Sequence, residues 1–247
     1  AAAVAVAAAM QPRAFEPVLL HEVTPHSWML KQLRVQASGL SGVLDLYWPQ
    51  VSESVWIGHS YPTFAGGERA TYWLNGQLPL HHLLANADPA SAEARRTGEG
   101  VDKYMDYIIA HQDQGGWLGP GANDTSGGLF WARYYLLYTF ALRAESTANV
   151  TQRAQSIDVM MRHVHASARM MDAADWHERG DGWGVWRVQE YLLVLQWLLE
   201  NAPPTEHDFL QQHALKVRGR AEFADWEGWF DKWNTSHCMK DPPPAPA

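Results

Sequence analysis

The sequence predicts an all-α fold, an array of helical hairpins. Apolar residues recur at the 3.6-residue spacing of a helix in successive segments, glycine or proline turns separate those segments, and no alternating run of strand length interrupts them. The opening AAAVAVAAAM is too short to cross a bilayer and reads as a signal-peptide tail or a low-complexity lead-in. Residues 11–26, with Pro12, Pro17 and Pro25, read as an extended approach. A helix follows over HSWMLKQLRVQASGL, with Ser27 as its cap and Gly39 and Gly42 as its end. Residues 45–67, rich in aromatic and turn residues, read as an irregular but packed surface loop.

The next helix runs from Glu68 to Ala85, with Pro79 expected to bend or divide it. Val101, Tyr104, Met105, Ile108 and Ile109 form one clean apolar face, and DQGGWLGPG stops that helix. Residues 129–144 are apolar on nearly all sides, which predicts deep burial. Further amphipathic helices carry Ile157 to Met171 and Val188 to Leu199, the latter ended by Pro203 and Pro204. A last helix spans His207 to Arg220, and the aromatic DWEGWFDKW reads as the start of one more.

Composition narrows the function. A net charge of −8 argues against nucleic acid and against anionic membrane surfaces, and no run is long and apolar enough for a membrane helix. The 13 Trp residues either fill a helical core or offer flat faces to sugar rings. The single cysteine, Cys238, rules out a disulfide framework or a multi-cysteine metal site within the chain. Three N-glycosylation sequons, at Asn123, Asn149 and Asn234, favour a secreted or secretory-pathway protein. No HExxH, G-x-S-x-G or phosphate-loop motif is present, and the pairs His81–His82 and His163–His165 lack the i, i+4 spacing of helical metal ligands.

A series of motifs in order, LKQLRVQASGL, DLYWPQV…WIG, GGERATYWLNGQLPL, YIIAHQDQGGWLGP and WRVQEYLLVLQWLLE followed by DWEGWF, resembles glycoside hydrolase family 127, the β-L-arabinofuranosidase-like family. The resemblance implies an α/α toroid of hairpins over residues 26–233, here incomplete, after a leader at 1–25 and before a proline-rich tail at 234–247. It implies activity on arabinofuranose-containing or related plant-type glycans. For the complete family domain it implies zinc and a cysteine nucleophile within a cysteine cluster. Cys238 stands alone beside the tail, so the expectation is a fragment without the nucleophile, inactive by itself and without a cofactor of its own. Two other readings stand beside it: a non-catalytic carbohydrate-binding protein, and a structural helical scaffold with a Trp-rich core.

In a toroid the ligand sits in the central funnel, lined by loops at one rim and by the starts of inner helices. That picture selects Glu68 and Arg69, which either face sugar hydroxyls or serve the helix dipole and solvent. Trp73 and Asn75 continue the same motif, and Asn75 stands where family members often carry Asp; buried, it and Gln36 each need a partner. His111 and Gln112 form a polar pair at the rim or a helix C-cap. Trp117 and Trp183, each in a glycine turn, are the sugar-stacking candidates. Arg187 approaches the ligand or pairs with Glu190 three residues on.

Overall fold

The structure is a computed structural model, and it describes residues 15, 18–61, 67–120, 127–173 and 187–220. The fold is all-α, and the described residues contain no strand. In chain order the helices are α1 (Ser27–Ser38), α2 (Leu40–Tyr47), α3 (Pro49–Ser52), α4 (Glu68–Ala87), α5 (Ala92–Ala110), α6 (Gly127–Glu145), α7 (Val150–Ala173), α8 (Val188–Asn201) and α9 (His207–Arg220).

Three antiparallel hairpins make up the body. In α4 and α5, His81 donates from Nδ1 to the Ala94 carbonyl at 2.9 Å, while Trp73 packs 5.0 Å from Tyr104. In α6 and α7, Arg143 donates to Ser156 Oγ at 2.8 Å. In α8 and α9, the Tyr191 hydroxyl meets His213 Nε2 at 3.0 Å. The first helices of the hairpins then pack on one another, α4 on α6 and α6 on α8. They run parallel. Tyr72 lies 4.0 Å from Tyr135 and, further along both helices, Asn75 donates to Thr139 at 3.3 Å. Likewise Tyr135 meets Glu190 at 2.9 Å and Glu145 meets Trp197 at 2.6 Å. The second helices, α5, α7 and α9, run back antiparallel to them. The first turns of α4, α6 and α8 therefore share one end of the molecule.

Local sequence explains most boundaries. Ser91 caps α5, its side chain accepting from the Ala94 amide at 3.2 Å, and the apolar face Val101, Tyr104, Met105 and Ile108 is buried. The α6 core, with Phe130, Ala132, Tyr134, Leu136, Leu137 and Phe140 all at 1% exposure or less, matches its apolar surround.

Four sequence expectations need correction. Residues 45–67 are not an irregular loop in their described part: they hold the end of α2, all of α3 and a 3₁₀ turn at Val55–Ile57. Long-range contacts impose this order, since buried Asp45 pairs with Arg96 and Tyr104 donates to the Val51 carbonyl. Pro79 does not divide α4, because Leu78 and Leu80 beside it are buried in the core and their packing outweighs one lost backbone bond. Ser27 does not cap α1. The cap is His26, without a side-chain bond, and Ser27 is the first helical residue at φ 51°.

Gly42 does not end a helix either. It lies buried inside α2, where a Cβ would stand 1.8 Å from the Ala37 carbonyl oxygen. Gly42→Ala should force α1 and α2 apart and lower stability by about 1–3 kcal/mol, read as a fall in the urea midpoint. An unchanged midpoint would show that this close approach is dispensable.

Candidate functional site

Glu68 opens α4 after Gly67, whose φ of 80° and close contact with Trp56 leave no room for a Cβ. The Glu68 side chain is therefore fixed at the common end of the three parallel helices. It is 3% exposed. Its Oε1 lies 3.2 Å from Nε of Arg69, while Oε2 is buried with no hydrogen-bond partner among the described residues. Burial pushes the carboxyl above the usual glutamate range, and the charges of Arg69 and Arg187 only partly oppose this.

Across the layer, Glu190 stands in the first turn of α8. Its Oε1 accepts from Arg187 Nη1 at 3.1 Å and from the Tyr135 hydroxyl at 2.9 Å. Its Oε2 is also buried without a hydrogen-bond partner among the described residues. Aromatic rings stand beside the two carboxyls. Tyr72, one turn after Glu68, tilts against Tyr135 at 4.0 Å and meets Trp131 edge-on at 6.0 Å. The Arg187 guanidinium lies 5.6 Å from the Trp131 ring centroid, a cation–π contact. Burial raises the phenol pKa values of Tyr72 and Tyr135, so both stay neutral.

The structure thus brings Glu68, Arg69 and Arg187 together at one end, with Asn75 one turn beyond Tyr72 on α4. Half-buried Asn75 finds its partner in Thr139. Other expected residues serve elsewhere. Trp73 faces away from the rim, 7% exposed, donating to the Ser41 carbonyl at 2.9 Å. Gln36 lies exposed on α1, so water satisfies it. His111 is the C-cap of α5: its Nδ1 donates to the Tyr107 carbonyl at 2.8 Å and its ring stacks on Tyr107 at 3.8 Å. Gln112 is a staple between segments, donating to the Gly116 carbonyl at 2.7 Å and the Val159 carbonyl at 2.9 Å.

Trp117 requires a correction. Its glycine turn does not present the ring to solvent, for the ring is 3% exposed. Gly116 at φ 93° and Gly119 at φ 72° turn the chain inward against Arg162 and Trp56, which drives the indole onto Phe130 and His163. Trp183, Asn123, Asn234 and Cys238 lie outside the described residues. Asn149 is exposed, and its Oδ1 caps α7 by accepting from the Thr151 amide at 2.9 Å and the Gln152 amide at 3.3 Å.

Sequence reasoning missed Tyr135 and Trp131 and favoured a salt bridge with Arg187 for Glu190. That bridge exists. The available signal was the i, i+4 pair Trp131–Tyr135 running beside the i, i+4 pair Glu68–Tyr72, hidden because α6 is apolar all round. Among the described residues no group of three or more His, Cys, Asp or Glu side chains is arranged to hold a metal, and no helix is long and apolar enough to cross a membrane. No family model, curated protein or solved structure matches the chain.

Proposed function

We propose that this chain handles a neutral carbohydrate where α4, α6 and α8 begin, as a glycoside hydrolase-like domain for arabinofuranose-containing or related glycans. One observation carries the reading. Glu68 and Glu190 each keep a buried carboxyl oxygen without a hydrogen bond, beside the rings of Tyr72, Tyr135 and Trp131. Buried acceptors without donors are costly, and a sugar supplies several hydroxyl donors on one rigid ring. Aromatic side chains suit the apolar faces of that ring.

The parallel first helices support the toroid that the motifs suggest, since hairpins set side by side in one sense are its repeating unit. Half-exposed Tyr138 and exposed Leu193, at 44% and 61%, sit on α6 and α8 beside a groove of about 190 Å³ lined by Leu142, Glu145 and Trp197. Apolar exposure of this kind fits a layer whose remaining ring would cover it. The zinc and cysteine cluster implied by the motifs find no fit among the described residues, so no step here runs through a metal. The chain's lone cysteine favours a second reading, sugar binding without hydrolysis. The sequons favour a secretory route for either.

Calorimetric titration with methyl L-arabinofuranosides tests the reading. Binding is expected, weakened roughly 10- to 100-fold in Glu190→Gln, the effect of losing a hydrogen bond to a charged group. A structural scaffold predicts no heat and no tryptophan fluorescence change with any sugar, and that outcome would end the carbohydrate reading.

A further inference from the structure

Resting on the carbohydrate reading, we propose that the groove between α6 and α8 holds the further units of a neutral oligosaccharide whose first unit sits at Glu190 and Tyr135. The ligand is then a glycan chain and not a single sugar. The groove continues the stripe on which those two residues lie. Tyr138, Leu142 and Glu145 follow Tyr135 at i+3, i+7 and i+10 on α6. Leu193, Gln196 and Trp197 follow Glu190 at i+3, i+6 and i+7 on α8. All six line the groove, whose volume is about 190 Å³.

Two bonds across the helix pair mark its length. Tyr135 donates to Glu190 at 2.9 Å near the start of α8, and Trp197 donates to Glu145 at 2.6 Å further along. The bonded residues are ten apart on α6 and seven apart on α8, so the helical rise sets the two bonds roughly 10–15 Å apart. That span exceeds one sugar ring and fits a short chain laid along the helices. Its lining is suited to sugar. Tyr138, 44% exposed, and Leu193, 61% exposed, stand on the two sides of the groove. Aromatic and aliphatic surfaces of this kind pack against the C–H faces of a sugar ring. Glu145 Oε1 accepts from Trp197, while its Oε2 has no hydrogen-bond partner among the described residues and can accept from a sugar hydroxyl. Among the described residues the lining carries no cation, which favours a neutral chain over an acidic one. Helices completing a ring would face this groove across the funnel and enclose it without filling it.

Calorimetric titration with methyl L-arabinofuranoside and with a linear arabinofuranose trisaccharide tests the proposal. The trisaccharide is expected to bind about tenfold more tightly or better, the gain from one further ring packed on an aromatic side chain. Tyr138→Ala and Leu193→Ala, both at exposed positions that the fold tolerates, should each lose most of that gain and keep the wild-type affinity for the methyl glycoside. Glu190→Gln should weaken both ligands alike. Equal wild-type affinity for the two ligands would overturn the groove and leave the carbohydrate reading standing. Equal losses of Tyr138→Ala on both ligands would do the same. Self-association in sedimentation, abolished by Leu193→Glu while the trisaccharide gain persists, would assign this face to a second copy of the chain and overturn the proposal. Absence of binding by either sugar would overturn the carbohydrate reading and the groove with it.

Discussion

Arg133→Ala is expected to lower the unfolding free energy by about 3–5 kcal/mol, the combined effect of a core cavity and carbonyls left without donors. Arg133 is 0% exposed, yet it carries a permanent charge. Its Nε donates to the Leu118 carbonyl at 2.8 Å and its Nη2 donates to the Pro120 carbonyl. The guanidinium also stands 4.2 Å from the Trp117 ring centroid and 5.2 Å from that of Trp56, so both indole faces make cation–π contacts with it. It thereby ties the segment between α5 and α6 to the start of α6, the turn that sets Trp131 and Tyr135 at the rim. Arg133→Lys keeps the charge but offers a point donor that cannot bridge both carbonyls and stack, so it should fall between wild type and alanine. Urea unfolding of the three proteins decides the matter. A loss below about 1 kcal/mol for alanine would mean that the indoles and carbonyls re-pair without the guanidinium.

The hairpin fold was legible wherever one helix face alone met the core. In α5, Val101, Tyr104, Met105 and Ile108 are spaced for one buried stripe, and burial follows the spacing. The segment from Asp45 to Ile57 was not legible. Its turns are held by Arg96 and Tyr104, more than 45 residues away in sequence, and no local pattern encodes those bonds. Pro79 misled for a related reason. Its local preference is to break a helix, but the packing of Leu74, Leu78 and Leu80 on both sides is stronger.

The candidate site was half legible. Glu68 and Arg187 could be selected because each opens a helix after a turn, and the structure places both at one end. Tyr72 stood inside the selected motif without a role of its own. Tyr135 was out of reach, because in FWARYYLLYTF nothing distinguishes the ring that meets Glu190 from the rings that fill the core. Trp117 shows the reverse error. Glycine frees the backbone to turn in either direction, and Arg133 beneath the turn draws the indole inward.

His163 makes stability depend on pH in a defined window. The ring is 1% exposed and packs against Trp117, and its Nδ1 accepts from the Leu118 amide at 3.2 Å. Burial, with the nearby Arg133 charge, lowers its pKa from 6.5 to about 3. An unfolded chain takes up a proton on this imidazole below pH 6.5, whereas the folded chain does not until about pH 3. The unfolded state therefore binds more protons throughout that window, and stability falls as pH falls. Well inside the window the loss from this residue should reach about 1.4 kcal/mol per pH unit. His82, lowered to about 4, has the same sign but is only half-buried, so solvent screening reduces its share. Glu68 acts oppositely: its raised pKa makes the folded state hold a proton that the unfolded chain releases, so its contribution shrinks as pH rises. Replacing His163 by asparagine keeps an acceptor for the Leu118 amide and removes the titration. Urea unfolding between pH 7.5 and pH 5, in steps of about half a unit, should give wild type a slope steeper than His163→Asn by nearly one proton. Parallel slopes would mean that the imidazole takes up its proton in the fold as readily as in the unfolded chain, and that the amide of Leu118 does not hold its Nδ1.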